Sequence, residues 1–368
     1  MSGSTGTRRV RVGIIGCGEI AQKRWIPCVK HEEHALLVAV SDIDATLAER
    51  TAREASVPHH YSDHGKMLEE ASIDAVIVAT PTPTHLSVTL DALAAGKHIM
   101  LEKPMCLDLG EAEQMAAAVR RSDLVFFPLP YDAHLSYLKA HELIKAGFLG
   151  RPVAIESAAI HPGVNHADWF YRKGAGTLND MGVYPISWMV GFMGPAKKVS
   201  GFESTIRKVR NLNSGVAVKA EVEDNVALIL EFDGGVLGVM NTNYAAGGLI
   251  DNVIFHATVY GTEGIIHLDH GENLVVFSRR EVPDSTVVEF EGQKVYSVKF
   301  PPVSDMTRNS WSGPEIVRDF LACILKGNRP APPLPNLEQQ VHVIEIIDKA
   351  HQSARDGVTK ALKTTFRP

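Results

Sequence analysis

Lys103 stands directly after Glu102 at the end of the apolar run Ile99-Met100-Leu101 and directly before Pro104. In a sheet of parallel strands, ligands gather at the carboxyl ends of the strands. Lys and Glu are seldom buried unless they are paired or functional, so this charged pair points to chemistry. A lysine in a cleft hydrogen-bonds a substrate hydroxyl, and its surroundings can bring it into the working pH range. A second reactive pair follows the glycine-rich stretch Gly174-Ala175-Gly176-Thr177. There Asp180 and Tyr184 are four residues apart, a spacing that puts both side chains on one face of a helix. Pro185 is expected to break the next backbone bond and kink that helix.

The elements that must position Lys103 read as a nucleotide fold. Val10 to Ile15 is a short β-rich apolar run, and Gly16-Cys17-Gly18-Glu19-Ile20-Ala21 follows it as G-x-G-x-x-A. Gly16 permits the tight turn, Gly18 lets backbone approach a pyrophosphate, and Ala21 allows close helix–strand packing. The next helix then aims its N-terminal amides at the phosphates. A second strand, Leu36 to Val40, ends at Ser41-Asp42, roughly twenty residues past the glycines, where a carboxylate grips the adenosine ribose. An Asp there repels a 2′-phosphate, so NAD is expected rather than NADP. A third strand, Ala75 to Ala79, leads into Thr80-Pro81-Thr82-Pro83-Thr84-His85, a loop stiffened by its prolines that can wall the cofactor cleft. A helix from about Leu86 to Ala95 stops at Gly96, and the strand Lys97 to Leu101 delivers Glu102 and Lys103. Alternating strands and helices of this kind make a doubly wound parallel sheet. The candidate cofactor contacts are Gly16, Gly18, Glu19, Ile20, Ala21, Asp42, Thr80, Pro81, His85, Glu102 and Lys103.

These motifs, in this order, resemble the glucose–fructose oxidoreductase/inositol dehydrogenase/MocA family. The resemblance rests on the glycine fingerprint, Ala79-Thr80-Pro81 with His85, and Ala94 to His98 leading into Glu102-Lys103-Pro104. It extends through the Asp108–Val119 helix, Gly147 to Pro152, Tyr260 to Gly264 and Ser353 to Gly357. In that family a glycine turn is followed by Asp, with His or Tyr four residues later. The resemblance therefore implies substrate-site roles for Asp180 and Tyr184, this chain carrying the Tyr version. A free tyrosine titrates at about 10, so Tyr184 as a base needs the Lys103 ammonium to stabilise its anion. Two assignments stay open. In one, Tyr184 exchanges the proton, Lys103 polarises the oxygen and Asp180 orients a neighbouring hydroxyl or the lysine. In the other, Lys103 transfers the proton and Tyr184 only hydrogen-bonds. The hydride chemistry belongs to the nicotinamide.

The implied substrate is a small carbohydrate-like secondary alcohol: a sugar, polyol or glycoside. His161, His166, Asp168, Trp169 and Arg172 form a polar–aromatic cluster ahead of the catalytic helix, with Trp169 offering a flat face for a sugar ring and the others hydrogen bonds. Relatives carry an Arg around the Tyr131-Asp132 position, and its absence here leaves the individual substrate open. Two further readings compete with a plain dehydrogenase. One is a lyase or hydrolase that oxidises a sugar transiently and recycles its NAD. The other is a non-catalytic NAD-binding redox sensor.

At 368 residues the chain is expected to split into domains. A flexible tail over residues 1–7 precedes an NAD-binding Rossmann domain over 8–130, closed by the Phe126–Pro130 strand. Residues 131–368 then form an α+β domain for substrate binding and oligomerisation, with a predominantly antiparallel, open-faced sheet. Strands are expected at Val153–Ile160, Val226–Phe232, Val236–Thr242, Val253–Tyr260 and Gly264–Leu268, with a hairpin at Asp233-Gly234-Gly235. Helices are expected around His134–Lys145, Pro314–Lys326 and Leu337–Ala354. The open face and the family analogy imply a homodimer or homotetramer.

The formal net charge of −6 and the lack of a long basic run argue against a nucleic-acid partner. No apolar stretch is long enough for a bilayer, and no signal h-region follows Arg8-Arg9, so no membrane partner and a cytoplasmic location are expected. Four cysteines without paired spacing fit a reducing compartment. His59-His60 and His267-x-x-His270 have no further ligand at sensible spacing, so no metal is expected.

Overall fold

The computed structural model describes residues 8–130, 135–249, 254–270, 273–290, 292–298, 300 and 313–367. The proposed tail over residues 1–7, the Tyr131-Asp132 position and the starts of the Val253 strand and His134 helix lie outside them. The chain divides into two compact units.

The first unit contains six strands among the described residues: β1 (Val10–Ile15), β2 (Ala35–Ser41), β3 (His59–Tyr61), β4 (Ala75–Val78), β5 (His98–Leu101) and β6 (Phe126–Pro128). They lie in the order β3-β2-β1-β4-β5-β6, every pairing parallel. This is the strand order of dinucleotide-binding sheets, with the switch point between β1 and β4. Between these strands run the helices α1 (Ile26–His31), α2 (Ala45–Ala55), α3 (His64–Glu70), α4 (His85–Ala94) and α5 (Leu109–Arg120). Strands sandwiched by helices are buried on both faces and read as continuous apolar runs; all four residues of β4 are buried. Register then sets the functional loops level. Ile15 pairs with Ser41 and with Val78, and Val78 with Leu101, so Gly16, Asp42, Ala79 and Glu102 are each the first residue beyond the carboxyl end of its strand.

The second unit opens with α6 (Leu135–Lys145), β7 (Pro152–Ile160) and α7 (Val183–Met193), followed by β8 (Ala196–Ser204), β9 (Val209–Asn211), β10 (Ala217–Lys219), β11 (Asn225–Phe232) and β12 (Leu237–Asn243). Further along come β13 (Phe255–Gly261), β14 (Gly264–Asp269), β15 (Leu274–Ser278), β16 (Ser285–Phe290), β17 (Gln293–Val298) and β18 (Lys360–Ala361). Ten of these strands form one sheet, ordered β16-β17-β15-β14-β13-β7-β12-β11-β8-β18. Its pairings are antiparallel apart from β7 with β12. The Asp233-Gly234-Gly235 turn joins β11 to β12, with both glycines at positive φ. One face buries Ile155, Leu228, Leu230, Met240, Ala257 and Ile266, in a core shared with α7 and the late helix α9 (Leu337–Asp356). Alternate residues point the other way, and Phe202, Ile229, Leu237 and Val239 are exposed there.

Assigning all of 131–368 to the second domain needs one correction. Helix α8 (Gly313–Lys326) belongs to the first unit. Its apolar stripe of Ile316, Val317, Phe320 and Leu321 packs in the same core as Val12, Ile14, Trp25 and Phe127, with the Phe127 and Phe320 rings edge-on at 5.8 Å. The spacing of that stripe reveals an amphipathic helix but not which sheet it covers. The histidine pairs have local duties. His59 and His60 sit in the edge strand β3, His267 Nδ1 lies 2.8 Å from the Thr258 hydroxyl, and His270 Nδ1 accepts the Ile254 N–H at 3.2 Å.

His342, fully buried on α9, accepts the Ala196 N–H at Nε2 (2.9 Å), and its Nδ1 lies 2.8 Å from the Thr364 hydroxyl. Burial pushes its imidazole down to about 4, against the pull of Glu345. Unfolding therefore takes up a proton between pH 6.5 and about 4; the native state keeps its full margin above that window and loses it as pH falls through it. Wild type is expected to lose about 2–3 kcal/mol more than His342→Gln between pH 7 and pH 4.5, read from denaturant midpoints.

Candidate functional site

In the first unit the glycine loop is shaped by crowding on one side and openness on the other. Gly16 has φ +95, and a Cβ on it would lie 2.5 Å from the Ala79 carbonyl oxygen; its N–H donates to Ser41 O at 2.7 Å. A Cβ on Gly18 would meet nothing, which is the open backbone that a pyrophosphate approach needs. The Asp42 carboxylate accepts the Cys17 N–H at 2.7 Å and the Asp44 N–H at 2.9 Å, so it fastens the loop to the end of β2. Each oxygen keeps a further lone pair for a ligand. Cys17 is buried, and burial with nearby Asp42 pushes its thiol up to about 12; it packs. Glu19 pairs with Lys23 on the surface and Ile20 is exposed, whereas Ala21 is fully buried. Ala21–Trp25 winds as a π-turn before α1.

Glu102 and His85 have duties that their residue types and places in the sequence do not announce. The Glu102 side chain is 6% exposed, accepting Trp25 Nε1–H at 3.0 Å and the Lys103 N–H at 2.9 Å. His85, 1% exposed, has Nδ1 2.9 Å from the Pro104 carbonyl oxygen and Nε2 2.8 Å from that of Thr80. Burial holds its imidazole below the ordinary value, against those carbonyls and Glu102. The backbone around half-buried Lys103 is thus fastened on both sides. Thr80 is half-buried, its hydroxyl bonded to that of Thr84 at 2.8 Å, and Pro81 is exposed beside it.

In the second unit, Gly174 and Gly176 take φ of +91 and +100. The buried Glu223 carboxylate lies against Gly176 and accepts the Leu178 N–H at 3.0 Å. Burial pushes the Glu223 carboxyl above its ordinary value, with His351 and that N–H pulling it back. Leu178–Gly182 then winds as a π-turn that runs into α7. Pro185 lies within α7, and the irregular winding is upstream of it, in a widened turn of a kind frequent at functional sites. Asp180 lies within it, buried, and accepts the Tyr244 hydroxyl. Tyr184, half-buried in α7, stacks on Phe255 at 5.2 Å and 10°.

The five-residue polar–aromatic cluster separates into two parts. His161 lies with Asp180 and Tyr244: its ring meets Tyr244 edge-on at 5.9 Å and its Nδ1 accepts the Gly163 N–H at 3.0 Å. Burial lowers its pKa, with Asp180 pulling upward. The other four line an exposed stretch. Arg172 pairs with Asp168 at 3.1 Å and Glu221 at 2.9 Å, Trp169 stacks on Phe170 at 3.7 Å, and His166 meets Phe170 edge-on at 5.5 Å. Sequence reasoning missed Tyr244, Arg210, Asp224 and Glu223. Two signals were present, Asn243-Tyr244 just after one expected strand and Glu223-Asp224 just before another; nothing marked Arg210.

Both halves match known protein families. Residues 10–129 match the family described as "Oxidoreductase family, NAD-binding Rossmann fold", and residues 137–267 match the "GFO/IDH/MocA C-terminal domain". Among similar sequences, dTDP-3,4-didehydro-2,6-dideoxy-alpha-D-glucose 3-reductase of Streptomyces antibioticus is 25% identical over 325 residues, 87% of this chain and 90% of that protein. Myo-inositol 2-dehydrogenase of Thermotoga maritima is 25% identical over 278 residues, 75% of this chain and 80% of that protein. Among solved structures, levoglucosan dehydrogenase in complex with NADH and L-sorbose has a TM-score of 0.83 at 21% identity, covering 97% of this chain and 99% of its own. At that identity the likeness shows the fold.

A methyl group at position 176 would meet the Glu223 carboxylate at a positive φ. Gly176→Ala is expected to destabilise the second unit by about 2–4 kcal/mol, read as a lowered denaturant midpoint. An unchanged midpoint would mean that Glu223 does not fix this turn.

Proposed function

The chain belongs to the GFO/IDH/MocA oxidoreductases, and from that premise we propose that it moves a hydride between NAD and a secondary alcohol, or the matching ketone, of a sugar, polyol or glycoside. The observation that carries this reading is the pairing of a nucleotide-type sheet with the Glu102-Lys103 loop at its carboxyl edge. The glycine loop fits the cofactor: its backbone is open at Gly18 and closed at Gly16. NAD, when bound, supplies the hydride acceptor. Asp42 binds the adenosine ribose through its remaining lone pairs and disfavours a 2′-phosphate. The loop carrying Thr80 and Pro81 walls the cofactor.

Lys103 polarises the reacting oxygen and Asp180 orients a neighbouring hydroxyl. As the carbon gives up its hydride, the hydroxyl proton passes to Tyr184 as its phenolate, leaving a ketone; the alternative assignment gives that proton to Lys103 as its neutral amine. His161 hydrogen-bonds a substrate hydroxyl. The exposed Trp169 face, with His166, Asp168 and Arg172, meets a more distant part of the substrate. The relatives named above are called reductase or dehydrogenase, and no observation favours the NAD-recycling lyase or the sensor. The exposed apolar residues of the open sheet face support assembly into a homodimer or homotetramer.

The test is growth of the NADH absorbance band when purified protein and NAD meet a panel of sugars, polyols and glycosides. Growth with one class supports the reading; product without net NADH would instead establish the recycling route. With the substrate so found, Lys103→Met is expected to lower kcat by about 10²–10⁴-fold while NADH still binds. Retained turnover would remove Lys103 from the mechanism. Asp42→Ala should weaken NAD more than NADP, and equal losses would refute its ribose role.

A further inference from the structure

We propose that Tyr244 is a positioning residue that fixes the Asp180 carboxylate for substrate binding, an inference that rests on the role given to Asp180 above. Tyr244 follows the last residue of β12 and is 1% exposed. Its hydroxyl donates to Asp180 Oδ2. Its backbone is held at both ends: the N–H donates to the Asp224 carbonyl at 2.7 Å, and the carbonyl accepts Arg210 Nη1–H at 2.7 Å. Arg210 and Asp224 are themselves paired at 2.7 Å, their side chains only 4% and 1% exposed. Asp224 also accepts the Ile206 and Arg207 N–H groups at 2.7 and 2.8 Å. A buried ion pair supplied with further hydrogen bonds is costly to disturb, so the tyrosine stands on a rigid base.

A phenylalanine would fill the same space between the edge-on rings of His161 and Tyr171. The hydroxyl adds something packing does not require, since a buried O–H must find an acceptor. With Oδ2 held by Tyr244, rotation of the Asp180 carboxylate is restrained. A substrate hydroxyl then meets an acceptor already in place, and small misplacements of such groups cost large factors in rate.

The test uses the full chain with NAD bound and the alcohol that the wild type turns over. Tyr244→Phe is expected to lower kcat/KM by about 10–100-fold with NADH affinity unchanged. Asp180→Asn should lower it further, and adding Tyr244→Phe to Asp180→Asn should change nothing more, because the hydroxyl acts through the carboxylate. An unchanged kcat/KM in Tyr244→Phe, or an equal loss in both backgrounds, would assign the hydroxyl to packing alone and overturn the proposal. If Tyr244→Phe folds poorly, the same cycle is read as alcohol affinity of the NADH complex by calorimetry below the melting transition. Loss of affinity confined to the Asp180 background supports the proposal there, and an equal loss in both backgrounds overturns it. Wild-type protein that turns over no alcohol overturns the functional reading and this inference together. Turnover with an additive cycle overturns the inference alone.

Discussion

Burial of the Glu102 carboxylate is the constraint on which the nucleotide half depends. A carboxylate taken out of water is tolerable only when donors replace the lost hydration, and here two do so. One is the indole of Trp25, from the helix that leaves the glycine loop; the other is the N–H of Lys103. The same group therefore ties the phosphate-side helix to the residue proposed for proton chemistry. His85 repeats the device across the next loop, its ring lying between the carbonyls of Thr80 and Pro104. Lys103 owes its backbone position to these two buried side chains, and they owe theirs to the parallel register that sets β4 and β5 level.

The second unit solves a similar problem with similar means. Its candidate carboxylate, Asp180, sits on a π-turn rather than on regular helix. That turn is anchored at its start by buried Glu223 and at Asp180 itself by Tyr244. Behind Tyr244 lies the Arg210–Asp224 pair, contributed by a two-stranded ribbon and by the residue preceding β11. Arg210 also lies 5.0 Å from the Tyr171 ring, whose hydroxyl accepts the Val164 N–H at 2.8 Å. One guanidinium thus links the loop carrying His161 to the turn carrying Asp180.

What the sequence made legible follows from how local each signal is. The glycine fingerprint, the buried strands and Asp42 lie in short, ordered segments whose periodicity and turn chemistry speak for themselves. The edge strand His59–Tyr61 has no apolar run to reveal it. Helix α8 shows its amphipathic stripe but not the sheet that receives it, whose strands all lie far earlier in the chain, between Val10 and Pro128. Tyr244, Arg210, Asp224 and Glu223 could not be assigned roles from sequence because each is defined by its partners from distant segments. The structural bonds of Glu102 and His85, to Trp25 and to backbone groups, were hidden for the same reason, since each partner lies elsewhere in the fold.

In the proposed reaction a carbon-bound hydrogen of an alcohol passes directly to NAD. The measurement is mass spectrometry of the NADH formed when an alcohol deuterated at its carbinol carbon is the substrate. Direct transfer requires one deuterium in each NADH molecule, with unlabelled NADH from the unlabelled alcohol. NADH free of deuterium, with the label left in the product or lost to water, would contradict it.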